Sequence, residues 1–143
     1  MRLQQEAHRF RRALEAAREA GEFDDHPVLV SFPAGTCGLV SEFASRYLRE
    51  RGMGDWEIVS AERHNPATGM WQGTHAWVRQ GTVIVDVTAD QFDGEGRPAV
   101  WADECDDWYR GWEVVPSWSA PERATAGPDE HAYEALVRHT SQP

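Results

Sequence analysis

The chain has 143 residues, 41% of them hydrophobic and 27% charged, and a formal net charge of −10. That length and balance fit one domain with a single sizeable core. The acidic excess argues against nucleic acid or an anionic membrane as a partner, because both call for basic surface. No apolar run reaches the length of a membrane span, and the N-terminus lacks the apolar core of a secretory signal. Two cysteines make no disulfide framework, so free thiols and a cytoplasmic setting are expected.

In chain order, Leu3, Ala7, Phe10, Leu14 and Ala17 recur at three- and four-residue spacing, which predicts a helix over 2–20 that Gly21 ends. Val28-Leu29-Val30 leads into a loop containing Pro33 and Gly35. A second helix is predicted from Cys37 to Arg51, with Leu39, Val40, Phe43, Ala44, Tyr47 and Leu48 as its apolar stripe and Thr36 placed to cap its start. A strand follows over 56–63, and Asn65-Pro66-Ala67-Thr68-Gly69 is turn chemistry. Runs 74–79 and 82–88 read as a hairpin around Gln80-Gly81. Short strands are expected at 99–101 and 112–115, an acidic loop at 103–107, a linker over 119–127 and a loosely docked helix over 128–138. The expected organisation is one domain over 1–118, then a linker and C-terminal helix over 119–143.

The hairpin carries a geometric consequence. A two-residue Gln80-Gly81 loop sets His75 directly across from Asp86, on one face with Trp77, Arg79, Ile84 and Thr88. A register slip of two residues keeps the pair on that face as diagonal neighbours, whereas a three-residue loop separates them. An acid beside an imidazole fixes its tautomer and stabilises its protonated form. Cys37 opens its helix, where the dipole and unpaired backbone N–H groups favour a thiolate and can hold an oxyanion. Cys37, His75 and Asp86 thus offer a nucleophile, a base and the base's orienting acid. A small buried cysteine that merely begins a helix is the plain alternative.

Gly35-Thr36-Cys37, His75-Ala76-Trp77-Val78 and Val85-Asp86-Val87-Thr88 together resemble the transglutaminase-like branch of the papain-like cysteine peptidase superfamily. The likeness covers residues 32–92. It implies an α+β fold, with a Cys-bearing helix packed on a small antiparallel sheet, and a Cys37-His75-Asp86 triad. It also implies attack on an amide carbonyl through a thioester acyl-enzyme, with no cofactor and no catalytic metal. The chain departs from the family in being short and in carrying Val87 where many members have Pro or Ala. Hydrolysis or deamidation of a peptide or Gln-type amide is the first expectation, acyl transfer to an amine the second, and a non-catalytic binding or regulatory module with the same fold the alternative.

Three residues are weaker candidates for substrate or oxyanion contact: Gln91, Gln72 and Trp77, each with a purely structural alternative. Thr74 is a similarly placed donor, and Trp71 and Trp101 could wall a cleft or pack in the core. Cys105 stands among carboxylates that disfavour its thiolate, so an incidental role is expected. Zinc held by Cys37, His75 and Cys105 lacks any supporting spacing. The acidic stretch 103–107 reads as a solvated loop, with recognition of a basic peptide or protein substrate as the sharper alternative. His64 reads as a turn residue, and His8, His26, His131 and His139 as surface residues.

Overall fold

The periodic apolar stripe of the N-terminal segment becomes helix α1 (Arg2–Glu19), which buries Ala7, Phe10, Ala13, Leu14 and Ala17. In the computed structural model, which describes residues 2–116 and 127–141, a single 3₁₀ turn over Leu29–Ser31 follows it. Helix α2 (Cys37–Glu50) starts at the predicted residue and buries Val40, Phe43, Ala44, Tyr47 and Leu48. Strands β1 (Glu57–His64), β2 (Trp71–Gln80) and β3 (Val83–Asp86) come next, then β4 (Trp101–Glu104), the short helix α3 (Asp107–Arg110) and β5 (Glu113–Val114). Helix α4 (Pro128–Thr140) closes the described chain. Most of the expected linker, residues 119–126, lies outside the described residues.

The five strands form one sheet in the order β4-β3-β2-β1-β5, and every neighbouring pair is antiparallel. Side chains alternate between its two faces. On one face Ile58, Val78, Val85, Val87 and Ala102 meet the apolar stripes of α1, α2 and α4 in the main core. On the other, Val59, Ala61, Trp77 and Ile84 join Tyr109 and Trp112 in a smaller, aromatic-rich core. The fold is α+β, with a helical layer on one side and a thin aromatic cap on the other.

Helix α4 and His26 differ from the sequence expectation. Helix α4 is not loosely docked: Ala132, Tyr133 and Leu136 belong to the main core, the Tyr133 ring meets Phe43 edge-on at 5.4 Å, and Arg46 pairs with Glu130 at 2.7 Å. The apolar positions 132, 133 and 136 give this helix a narrow but fully buried stripe. His26 is not a surface residue either. It is 6% exposed, accepts the Val28 and Leu29 N–H groups at Nδ1 and meets Asp129 of α4 through Nε2.

Candidate active site

The loop before α2 presents Cys37. Thr36 does not cap the helix as its residue type suggests. Its hydroxyl donates back to the Pro33 carbonyl at 2.9 Å, and no side chain caps the helix. The first amide N–H groups of α2 are therefore not taken by a cap. Cys37 and Gly38 line an open cleft of about 430 Å³ together with Ser60, Thr74, His75 and Ala76. The Cys37 thiol and the first N–H groups of α2 thus meet at one helix end.

The hairpin register differs by two residues from the one that Gln80-Gly81 suggests. Val78 faces Val85, Arg79 faces Ile84 and Gln80 faces Val83, so the loop is Gly81-Thr82. The reason is turn chemistry: Gly81 has φ 62, and a hairpin loop with glycine at its first position accepts that conformation without strain. His75 and Asp86 become diagonal neighbours on one face, and the bond still forms. The His75 Nε2–H donates to Asp86 Oδ2 at 2.7 Å. The pairing of β2 with β3 stops at Val78, which leaves the edge of β2 beside His75 open. Cys37 lines the same cleft as His75 there and helps to raise the pKa of the imidazole. With Nε2 committed to Asp86, Nδ1 is the nitrogen left for the thiol.

Asp86 is 2% exposed and fully supplied with donors. Besides His75, Oδ2 accepts the Tyr109 hydroxyl at 2.8 Å, and Oδ1 accepts the Thr88 N–H at 3.0 Å. Burial opposes this carboxylate, but His75, Thr88 and Tyr109 hold its pKa below the ordinary value. Burial, then the Asp86 charge, push the Tyr109 pKa up, so the phenol stays a donor. For His75, burial works against the imidazolium. The Asp86 charge and hydrogen bond outweigh it, with a smaller push from Cys37, and raise the pKa from 6.5 to about 9. His75 is 1% exposed, and its ring lies 5.0 to 5.8 Å from those of Phe92, Trp77, Trp112 and Trp108. This box fixes the imidazole and keeps water from its Asp86 bond.

The three weaker candidates separate. Gln91 sits at the site: its Oε1 accepts the Gly35 N–H at 3.2 Å and its Nε2 lies 3.4 Å from His75 Nδ1. Gln72 is exposed and stands outside the residues lining the cleft. Trp77 is 3% exposed and packs beneath His75, so it is no cleft wall; its size and apolar face are used by the smaller core. Trp101 packs against that same core, while Trp71 is 61% exposed. Cys105 packs there too, on the far side of the sheet from the cleft, so Cys37, His75 and Cys105 are not brought together.

The stretch 103–107 is not a free acidic loop. Glu104 accepts the Thr82 hydroxyl, Asp106 caps α3 and pairs with Arg97 at 2.9 Å, and Asp107 pairs with Arg110 at 2.7 Å. Among the described residues, the His, Cys, Asp or Glu side chains grouped closely enough to hold a metal are Glu62, His64 and Glu113.

Sequence reasoning missed Tyr109, Thr88 and Arg11 as supports of the site. Arg11, 8% exposed, donates to the Val87 carbonyl at 2.6 Å and grips Asp90 with both terminal nitrogens. It thereby holds the turn that runs from Asp86 to Gln91. The Asp86-x-Thr88 spacing is a readable turn signal, whereas nothing local marks Arg11 or Tyr109. The chain matches no family model, no curated protein and no solved structure.

Proposed function

We propose that this chain is a cysteine-dependent enzyme that attacks an amide carbonyl, built on a core like that of the transglutaminase-like, papain-like cysteine enzymes. One observation carries the reading: Cys37, at an uncapped helix start, meets a His75 whose other nitrogen is locked to a buried Asp86. The composition of such a site matches nucleophile, base and orienting acid in role and order.

In the proposed cycle the Cys37 thiolate, paired with the His75 imidazolium, forms a bond to the carbonyl carbon of a peptide or Gln-type amide. The carbonyl electron pair moves onto oxygen, where the N–H groups at the start of α2 receive it. The C–N bond then breaks as His75 gives its proton to the departing amine or ammonia, leaving a thioester on Cys37. Water, or an amine in the transfer variant, gives a proton back to His75 and displaces the thiol. Asp86 keeps its charge throughout and holds the imidazole in place. Gln91, beside His75 Nδ1 and Gly35, is the side chain placed to orient the substrate amide.

Quenched samples taken during p-nitrophenyl acetate hydrolysis test this by mass spectrometry. An acetyl group on Cys37, lost in Cys37→Ala and slowed at least about a hundredfold in His75→Ala, is the expected result. A panel of Gln-containing peptides, scored for released ammonia and for new amine adducts, separates hydrolysis from transfer. Acetylation shared equally between Cys37 and Cys105, or unchanged in His75→Ala, would favour the non-catalytic module.

A further inference from the structure

The face of the sheet that lines the cleft continues past it. Ser60 stands opposite Ala76 at the cleft, and the next pair outward on that face is Glu62 opposite Thr74. Glu113 of the edge strand β5 stands directly across from Glu62 on its other side. One step further, β2 carries an extra residue: Arg63 faces Gly73 but His64 faces Trp71. Gly73 supplies the φ of 127 this bulge needs. Its effect is to turn Trp71 onto the same face as His64 and Glu62. There the indole is 61% exposed, beside a Met70 that is 70% exposed.

Two like charges directly opposed across strands repel. Among the described residues, the side chains of Glu62 and Glu113 have no hydrogen bond or ion pair to offset this. Thr74, which lines the cleft, stands directly across from Glu62, and Ser60 is two residues away along β1, about 7 Å, within reach of an arginine or lysine side chain on a peptide whose amide is at Cys37. Trp71 adds an aromatic face of the kind that stacks on a guanidinium. A divalent metal fits less well. Ligands of that kind are ordinarily held by outer hydrogen bonds, and neither the exposed His64 nor the exposed Glu113 has one.

We infer that Glu62, Glu113 and Trp71 form a subsite for a cationic side chain of the peptide substrate, one or two residues from the reacting amide; it rests on the cysteine-enzyme reading. The chain's net charge of −10 draws such a peptide in from a distance. This subsite, not the internally paired stretch 103–107, is the surface that selects a basic substrate.

The test uses iodoacetyl-arginine amide and iodoacetyl-glycyl-arginine amide against their neutral citrulline counterparts. Cys37 displaces the iodide in each case, so the ratio of arginine to citrulline rates reads the subsite alone. For the better of the two spacings, a ratio of about ten is expected at low salt. It falls toward one at high salt and in Glu62→Gln/Glu113→Gln. A ratio near one in the wild type, or one unchanged in the double variant, overturns the subsite. If Cys37 proves inert to all four probes, the cysteine-enzyme reading fails. The indole NMR signal of Trp71, assigned with Trp71→Phe, then decides the subsite: it should move with acetyl-glycyl-arginine amide and not with the citrulline peptide, and equal or absent shifts overturn it. Tight zinc binding lost in both Glu62→Gln and His64→Ala, and not displaced by the arginine peptide, would make this a metal site and overturn the inference as well.

Discussion

His75 concentrates the chemistry because its two nitrogens have different partners. Nε2 is fixed by Asp86 at 2.7 Å, which leaves Nδ1 beside Cys37 and Gln91. Its pKa is raised to about 9 in the folded protein from an ordinary 6.5. The stability it contributes is therefore fully present below 6.5 and is lost as pH rises through 9. Urea unfolding between those limits should weaken with pH by at most about 1.4 kcal/mol per unit, and His75→Gln should flatten the curve. Asp86 acts at the other end: its lowered pKa gives stability that is lost only in acid. Tyr109→Phe strips one donor from this buried carboxylate and should cost about 1–3 kcal/mol by urea titration, whereas Trp71→Phe, at an exposed position, should stay within about 0.5 kcal/mol.

Individual elements differ in how legible they were. Cys37, His75 and Asp86 could be read from the sequence because each lies in a short segment with strong local signals: a Gly-Pro loop before an amphipathic run, and alternation across a two-residue turn. The register was less legible, since Gln80-Gly81 and Gly81-Thr82 are both plausible turns; the strand pairing gives the second, in which Gly81 takes the positive φ and Gln80 does not. Face survived the shift and direct opposition did not. Asp86 thus faces the His75–Trp77 side of the sheet in either register. Arg11 and Tyr109 were illegible because their partners lie 76 and 23 residues away along the chain. Arg11→Met should loosen the 86–91 turn and leave the Val87 carbonyl and Asp90 without their donor. A destabilisation of about 2 kcal/mol is expected, with faster amide hydrogen exchange at Thr88 through Gln91.

At the scale of the molecule, the helical layer serves to press the start of α2 against the open edge of β2. Helix α4 contributes to that layer: Leu136 is fully buried while Val137 beside it is 39% exposed. Leu136→Ala should cost about 2–5 kcal/mol and Val137→Ala within about 0.5 kcal/mol, a contrast that a loosely attached tail would not give. The described residues contain no helix long and apolar enough to cross a membrane. The aromatic layer around Phe92, Trp108 and Trp112 closes the site from the opposite side and is flanked by Arg63 and Arg97.

Limiting iodoacetamide at neutral pH, followed by peptide mapping of Cys37 and Cys105, tests the central claim most directly. Cys37 should be modified at least about tenfold faster than Cys105, and that preference should disappear in His75→Ala. Equal labelling of the two cysteines, or a Cys37 preference indifferent to the loss of His75, would contradict the account.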